Sequence, residues 1–573
     1  MNKDSFPSLA MAWHIFRKDR RLLWPLAVAG AGGQVLVSWI NHRSPPYVDQ
    51  HGFMALAILL TLGIAVSISL LIVLMVQQDT IPGASQDWLV RPIRRGDLLL
   101  AKLLGVLLLV HAPFVVINTV RGLSYGLPLG QSLGAALHST LELALVYSLP
   151  LMCVAALTRS VTEAVLSAVG LALGVTFARM AVLALFAAST HVLHFSHSAD
   201  GTGVAWVWVL LSRILLLLVL AAVLARQYFR RDTQRSRVLF AGGLLLVALA
   251  PDLPWQPAFA IQRGLAAHPD AAQALVLAFD AESGALSPAQ AAAIPVDPQR
   301  LVRGAQKKKD KKPADQDTIA ILLPLRLSGL PAGTVLHADR TTVRLVGADG
   351  STVYRGNGST VYRGNGHLFD VAAPVGGDTS ARLRQGLPIP AKIFHAAADQ
   401  PLRLEVDYAL TLLRPRALPP LAALDGDRIL PEAGHCATRI DDSGNAVEVN
   451  CIAVGQIPSC MSMVLEFKDG THNPEEFSCA LNYQPAGLRV SVDPLDDFTT
   501  RLPFKDASGA VRYPIDQAQL PGAQVVISVY EPQAHFSRRI VVPQFHLRDW
   551  QAAAPAASDK AGAAAPPADT DQP

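Results

Sequence analysis

The feature that most constrains this chain is a series of long apolar runs confined to its first 255 residues. A helix needs about 20 predominantly apolar residues to cross a bilayer. Runs of that kind recur near 22–40, 53–77, 98–118, 131–157, 162–187 and 204–225. A seventh, near 238–255, offers only 13 residues, "VLFAGGLLLVALA", before Pro251 and Asp252, and must borrow "PDLPW" to span. Charged residues are only 16% of the chain, against about 25% in soluble domains, and the deficit falls in this first part. "PLAVAGAGG" (Pro25–Gly33) mimics a cleavage site, but the preceding segment is long and its apolar core short, so span 1 is read as retained.

The basic residues fall on alternate loops. Lys3, Arg17, Lys18, Arg20, Arg21, Arg91, Arg94, Arg95, Lys102, Arg159, Arg226, Arg230, Arg231, Arg235 and Arg237 flank one side, and only Arg43 and Arg121 flank the other. Fifteen against two sets the N-terminus and the loop between spans 2 and 3 in the cytoplasm. After seven spans the chain emerges on the opposite side. There, Cys436, Cys451, Cys460 and Cys479 cluster within 44 residues, separated by 14, 8 and 18 residues without a C-x2-C knuckle. Two disulfides in an oxidising compartment fit that spacing better than zinc does. The fifth Cys, Cys153, lies in an apolar run.

The loop between spans 2 and 3 is a dense polar elbow, "DWLVRPIRRGDLLLAKLL" (Asp87–Leu104). The positive-inside rule accounts for Arg91, Arg94 and Arg95 but not for Trp88 and Pro92. Trp88 and Leu89 suit burial in a protein groove, Pro92 stiffens the turn, and Asp97 is expected to cap span 3. Upstream, "SLAMAWHIFRKDRR" (Ser8–Arg21) places Leu9, Trp13 and Phe16 on one helical face and ends in a basic cluster, as an interfacial helix feeding span 1 would. A plain basic flank remains the alternative.

Over residues 8–226 this layout resembles the permease subunit of type 2 ABC exporters. The resemblance rests on the amphipathic N-terminal helix, the six core spans and the Arg-rich elbow entering span 3 through a Leu/Ala/Lys run. It implies that the elbow is a coupling helix, with Trp88, Leu89, Arg91, Arg94 and Arg95 seated on a separate ATPase subunit. It also implies a second permease, identical or related. No G-x-x-x-x-G-K-[ST] occurs in the chain, so ATP and Mg would be bound and hydrolysed by the partner, and this chain would carry no cofactor. The seventh span and the large C-terminal region depart from the simplest members.

Glu142, Arg179 and Arg213 fall inside predicted spans, where a charge is costly and usually faces a bundle interior or a water-filled cavity. Glu142 and Arg213 share a depth and have opposite signs, so they are expected to pair. Small residues in span 5 (Ala164, Ser167, Gly170, Gly174) favour close helix packing. His191, His194 and His197 recur at steps of three in one loop, a weak metal candidate with only Asp200 as a nearby carboxylate; solvated histidines are the simpler reading.

The remainder reads as a spacer over 256–317 ending in a Lys run, an all-β, sandwich-like region over 318–550, and an Ala/Pro-rich disordered tail over 551–573. The octapeptide "STVYRGNG" at 351–358 recurs at 359–366, one duplication that reads as a lengthened hairpin tip. No G-x-S-x-G and no H-E-x-x-H occurs, so an enzyme is the least supported class. The organisation expected is a cytoplasmic N-terminal helix (1–21), a transmembrane domain (22–255) and a periplasmic β-domain of a multi-pass protein of a bacterial inner membrane. The lipid bilayer is an expected partner and nucleic acid is not. The alternative function is a membrane-anchored sensor or scaffold whose β-domain binds a ligand or protein.

Overall fold

The computed structural model describes residues 8–43, 51–78, 94–190, 204–281, 318–357, 371–372, 381–441, 444–454, 460–473, 476–479, 495–503 and 520–551. The chain divides into two compact units, Met1–Ile261 with Arg416–Val529, and Gln262–Pro415 with Tyr530–Pro573.

The first unit holds the helices α1 (Leu9–Arg43), α2 (His51–Gln77), α3 (Arg95–Val106), α4 (Ala112–Ser124), α5 (Leu129–Leu143), α6 (Leu149–Leu157), α7 (Val161–Thr190), α8 (Ala205–Ala225) and α9 (Thr233–Leu249), and the boundary at Ile261 falls within α10 (Trp255–Gly264). Six described stretches are long and apolar enough to cross a membrane: Leu9–Ile40, Ile58–Gln77, Arg95–Ser124, Leu129–Leu157, Val161–Leu185 and Ala205–Arg230. Leu71, Ile72, Met75, Val106, Met152, Leu220 and Val223 form their common core, while Leu59, Leu166, Phe177 and Leu218 are exposed outside it. Outward apolar faces on several long helices are what a lipid-like solvent favours.

Spans 3 and 4 each contain a π-helical stretch, Leu107–His111 and Ala144–Ser148. Pro113 and Pro150 follow them. A helical proline lacks an N–H and its ring clashes with the carbonyl four residues back. Those carbonyls belong to Leu109 and Val146, inside the widened turns, so each π stretch absorbs its proline without breaking the span.

Two sequence expectations change here. Residues 8–21 do not form a separate helix; α1 runs unbroken through Pro25 to Arg43, because Ala12, Ile15, Phe16 and Leu23 are buried in one continuous stripe. The expected spacer is partly structured: α10 and the strand β1 (Val276–Phe279) lie within it, and Leu275 and Leu277 enter a core. A four-residue strand is too short to show a period in the sequence. The Lys run and the tail beyond Gln551 lie outside the described residues.

The first unit also carries an antiparallel sheet in the order β14 (Leu495–Pro503), β11 (Ala446–Val454), β10 (Gly434–Ile440), β9 (Asp427–Leu430). Cys436 faces Cys451 across the β10–β11 pair, and the two are disulfide-bonded with Cα atoms 4.0 Å apart. They pack with Val447 and Val449 against Met463 and Leu465 of β12 (Cys460–Glu466) and Val525 and Ile527 of β15 (Gln524–Phe545). The short β8 (Leu421–Ala422) pairs with the start of β15. Cys460 is also disulfide-bonded, and the residue opposite it, on β13 (Glu476–Cys479), is Cys479.

The second unit stacks the sheet β1–β2–β6 (β2, Thr318–Ser328; β6, Ala381–Pro390) on strands β3 (Val335–Val346), β4 (Thr352–Asn357), β7 (Leu402–Ala417) and the later part of β15, with the two-residue β5 (Val371–Ala372) pairing with β3. Period two decides each face. Leu404, Val406, Tyr408, Leu410 and Leu412 of β7 point into the shared core with Ile321, Leu323, Leu325 and Leu327 of β2. Among the described residues, six apolar stretches long enough to span a membrane are thus followed by a β-sheet-rich, non-barrel region.

The other face of β7 carries a buried polar chain. Thr411 Oγ1 donates to Asp339 Oδ2 (2.6 Å) and lies 2.7 Å from His535 Nδ1. Asp339 is the extra residue of a β-bulge between the pairs Ala338–Leu410 and Arg340–Ala409, which turns its carboxylate toward Thr411. Gln262 Nε2 lies 3.1 Å from His535 Nε2, and His337 Nε2 lies 3.9 Å from Asp339 Oδ1. Burial pushes the His535 imidazole down to about 4. A group lowered in the folded state leaves the unfolded chain binding more protons below its ordinary pKa of about 6.5. The stabilisation is full above that pH and is lost as pH falls toward 4. The thermal midpoint of the full chain in neutral detergent is expected to drop between pH 7.5 and 5, and His535→Gln to flatten that dependence. A second expectation concerns the Cys436–Cys451 bond, which closes a separation of 15 residues. The Cys436→Ala/Cys451→Ala variant is expected to lose about 3 kcal/mol, read as a lowered melting midpoint.

Candidate functional site

The polar contacts of the helical bundle concentrate at the end where α3 begins. Trp88, Leu89 and Arg91 of the elbow lie outside the described residues. Arg94 holds the N-cap position of α3 in extended backbone (φ −68°, ψ 139°) and is exposed. Arg95 donates to the backbone carbonyl of Phe229, in the π-helical stretch Arg226–Arg230 that ends span 6.

Asp97 does not cap span 3. The N–H groups of Asp97 and Leu98 already return to the Arg94 carbonyl, at 3.1 and 3.3 Å. Its buried carboxylate instead accepts the backbone N–H of Ser8, at 2.5 Å, just before α1. An anion near the start of either helix is favoured by the helix dipole. One turn further on, Lys102 Nζ meets Asp19 Oδ2 at 2.8 Å, with side-chain exposures of 1% and 3%. The sequence treats Lys102 as a loop charge; the structure places it inside the bundle. Asp97 and Lys102 thus hold α3 against α1 directly after the elbow.

The same end is laced further. Gln77 Nε2 donates to Thr158 Oγ1 and the Ser160 carbonyl, both at 3.0 Å. Gln227 Nε2 donates to the Ala156 carbonyl (3.1 Å), and Arg237 Nη2 donates to the Leu157 carbonyl (2.8 Å) and Glu163 Oε1 (2.9 Å). The last carbonyls of a helix have no intrahelical partners, and Gln227 and Arg237 take up those of Ala156 and Leu157 at the end of α6.

Deeper in the bundle, Glu142 Oε1 and Arg213 Nη2 stand 2.7 Å apart, joining α5 to α8. Arg179 does not join them. Its Nε and Nη2 donate to both oxygens of Asp252, at 2.7 and 2.8 Å. Asp252 enters the sequence reading only as an interruption of the seventh apolar run. The 17-residue α9 is pinned to α7 near both its ends, by Arg237–Glu163 and Arg179–Asp252. His111 is the other residue missed: it is buried in the first π-helical stretch, and neither ring nitrogen has a hydrogen-bond partner among the described residues. The nearby Pro113 is the only sequence sign of that stretch.

Among the described residues no group of three or more His, Cys, Asp or Glu is placed to hold a metal. His191, His194 and His197 lie outside them. Cys153 is buried as a free thiol.

No family model matches the chain, and no curated protein matches it. A solved structure described as pT26-6p matches with 8% identity over 39% of this chain and 61% of its own, at a TM-score of 0.10. At that score the likeness carries no argument. The chain is a polytopic helical membrane domain joined to a β-sheet domain.

Two outcomes follow from the pairs. Removing one partner of a buried ion pair costs about 3–5 kcal/mol, whereas replacing both with apolar residues is close to neutral. Asp19→Leu or Lys102→Met alone should therefore lower the melting midpoint sharply, and the double variant should recover most of it. In a cycle of Glu142→Gln and Arg213→Gln, a coupling of at least about 0.5 kcal/mol is expected; additive losses would contradict the contact.

Proposed function

We propose that this chain is the membrane-spanning permease subunit of an ATP-driven exporter of the type 2 ABC class. Its elbow is the coupling element, seated on a separate ATPase subunit that binds ATP and Mg. The N-terminus and elbow are cytoplasmic, in a bacterial inner membrane; the 17-residue α9 crosses as a seventh span after the six longer ones, and that odd count makes the β-domain periplasmic. A second permease, identical or related, completes the transporter.

The observation that carries this reading is the clamp downstream of the elbow. Arg95 holds span 6, Asp97 holds the start of α1, and Lys102 pairs with Asp19 of α1. A force applied at the elbow reaches α3 within one turn and passes to two further spans through these contacts. Small displacements spread this way because packed helices move as bodies. The fifteen-to-two division of basic residues and the disulfides agree with one orientation. The sensor or scaffold reading shares the spans but gives the elbow no task.

Mild-detergent purification of the tagged chain from its native membrane, beside a Trp88→Ala/Arg94→Glu variant, separates the two. A Walker-A-bearing ATPase that accompanies the wild type and is lost from the equally abundant variant is the expected result. An intact wild-type chain that brings no ATPase with it would overturn the proposal in favour of the sensor or scaffold.

A further inference from the structure

The face of β7 that carries Thr411 changes character along the strand. Beyond Ala409, its residues Asp407, Glu405 and Arg403 come up beside Thr342, Arg344 and Val346 of β3. Arg344 is in turn directly paired with Arg355 of β4, and Arg340 is paired with Ala409 on the same face. From β15, Arg539 Nη2 reaches Glu405 Oε2 at 2.9 Å and Nε approaches Asp407 Oδ1 at 3.6 Å. Arg344 Nε donates to Glu405 Oε2 at 2.8 Å, and Arg403 Nη2 lies 2.6 Å from Glu405 Oε1. Five arginines on four adjacent strands thus share one sheet face with Glu405, Asp407 and, at the buried end, Asp339.

The arrangement is a built one. Glu405 is almost fully covered, with 4% side-chain exposure, whereas Arg344, Arg403 and Arg539 keep 40–54%. Burial raises the Glu405 pKa, but hydrogen bonds and charge from Arg344, Arg403 and Arg539 outweigh it and hold the carboxyl below its ordinary range. The carboxylate therefore stays ionised beneath three guanidinium groups and, among the described residues, engages only part of the five N–H donors that each planar fork carries. Arg344 and Arg355 face each other directly across two strands, where like charges are destabilising. Burial, and then the charge of Arg355, hold Arg340 down to about 10. The result is a net positive face whose Arg344, Arg403 and Arg539 forks are preorientated by Glu405.

We propose that the β4–β3–β7–β15 face is a binding site for a phosphate-bearing ligand, with Arg344, Arg355 and Arg539 as its principal contacts. Planar guanidinium groups grip phosphate oxygens in pairs, and Arg344 and Arg539, already held by Glu405, lose little freedom on doing so. The site does not depend on the exporter reading. The phosphate is either free in solution or part of a phospholipid headgroup, and the two are separable.

The test uses the full chain in neutral maltoside detergent, titrated with inorganic pyrophosphate and, separately, with dihexanoyl phosphatidylglycerol. Saturable binding and a raised melting midpoint are expected with at least one probe, and the probe that binds identifies the source. Arg344→Gln and Arg355→Gln should each weaken it at least about tenfold, as loss of charge-assisted hydrogen bonds does. Arg548→Gln, whose arginine pairs with Asp399 elsewhere, should leave it unchanged. Arg355→Gln removes one of two facing like charges and should fold at least as well as wild type, so its result stands even if Arg344→Gln is destabilised. No saturation with either probe, or undiminished binding by Arg355→Gln, would overturn the proposal.

Discussion

A charge removed from water must meet its counter-charge, and that requirement organises the helical half of this protein. Each of three buried or half-buried ion pairs there joins two helical segments: Asp19 and Lys102 join α1 to α3, Glu142 and Arg213 join α5 to α8, and Arg179 and Asp252 join α7 to the segment after α9. Apolar packing among lipid-facing helices gives little direction, because lipid tails are as apolar as leucine. The pairs supply register. An α3 displaced by one turn would move Lys102 about 5.4 Å along the axis and leave two charges unmatched.

The same demand for satisfied polar groups appears at the turns. The π-helical stretches of spans 3 and 4 absorb Pro113 and Pro150 without breaking the span; His111, in the first of them, is the exception, buried with no hydrogen-bond partner among the described residues. The β-region handles polarity differently. Its strands put one face into an aliphatic core and keep the other for polar groups, running from the Asp339–Thr411–His535 chain to the arginines around Glu405. A bulge at Asp339 is the device that lets one strand serve both ends of that face.

Much of the architecture was legible without coordinates. Hydrophobic runs of about 20 residues leave few alternatives to spanning helices, and alternation after Thr318 reads as strands. Glu142 and Arg213 could be matched because depth in a span follows from counting residues at a fixed rise. Asp19, Lys102 and Asp252 could not. Asp19 and Asp252 flank apolar runs and Lys102 lies one turn inside one, positions in which a charge ordinarily reaches water or headgroups, and only the neighbouring helix covers them. Arg355 reads as part of a duplicated hairpin tip; its place beside Arg344 follows from strand register, which sequence leaves open.

Composition and period along the chain were enough to set the division into an apolar helical part and an alternating β part, the long spans and the clustering of cysteines, because each of these is a local property. Folding in three dimensions decided which charges pair, that α1 is continuous through Pro25, that Asp97 serves α1 rather than its own helix, and that Cys436 bonds Cys451. The Cys436–Cys451 and Ser8–Asp97 contacts join residues 15 and 89 positions apart. Their energies depend on distance and burial in space, which no local pattern encodes.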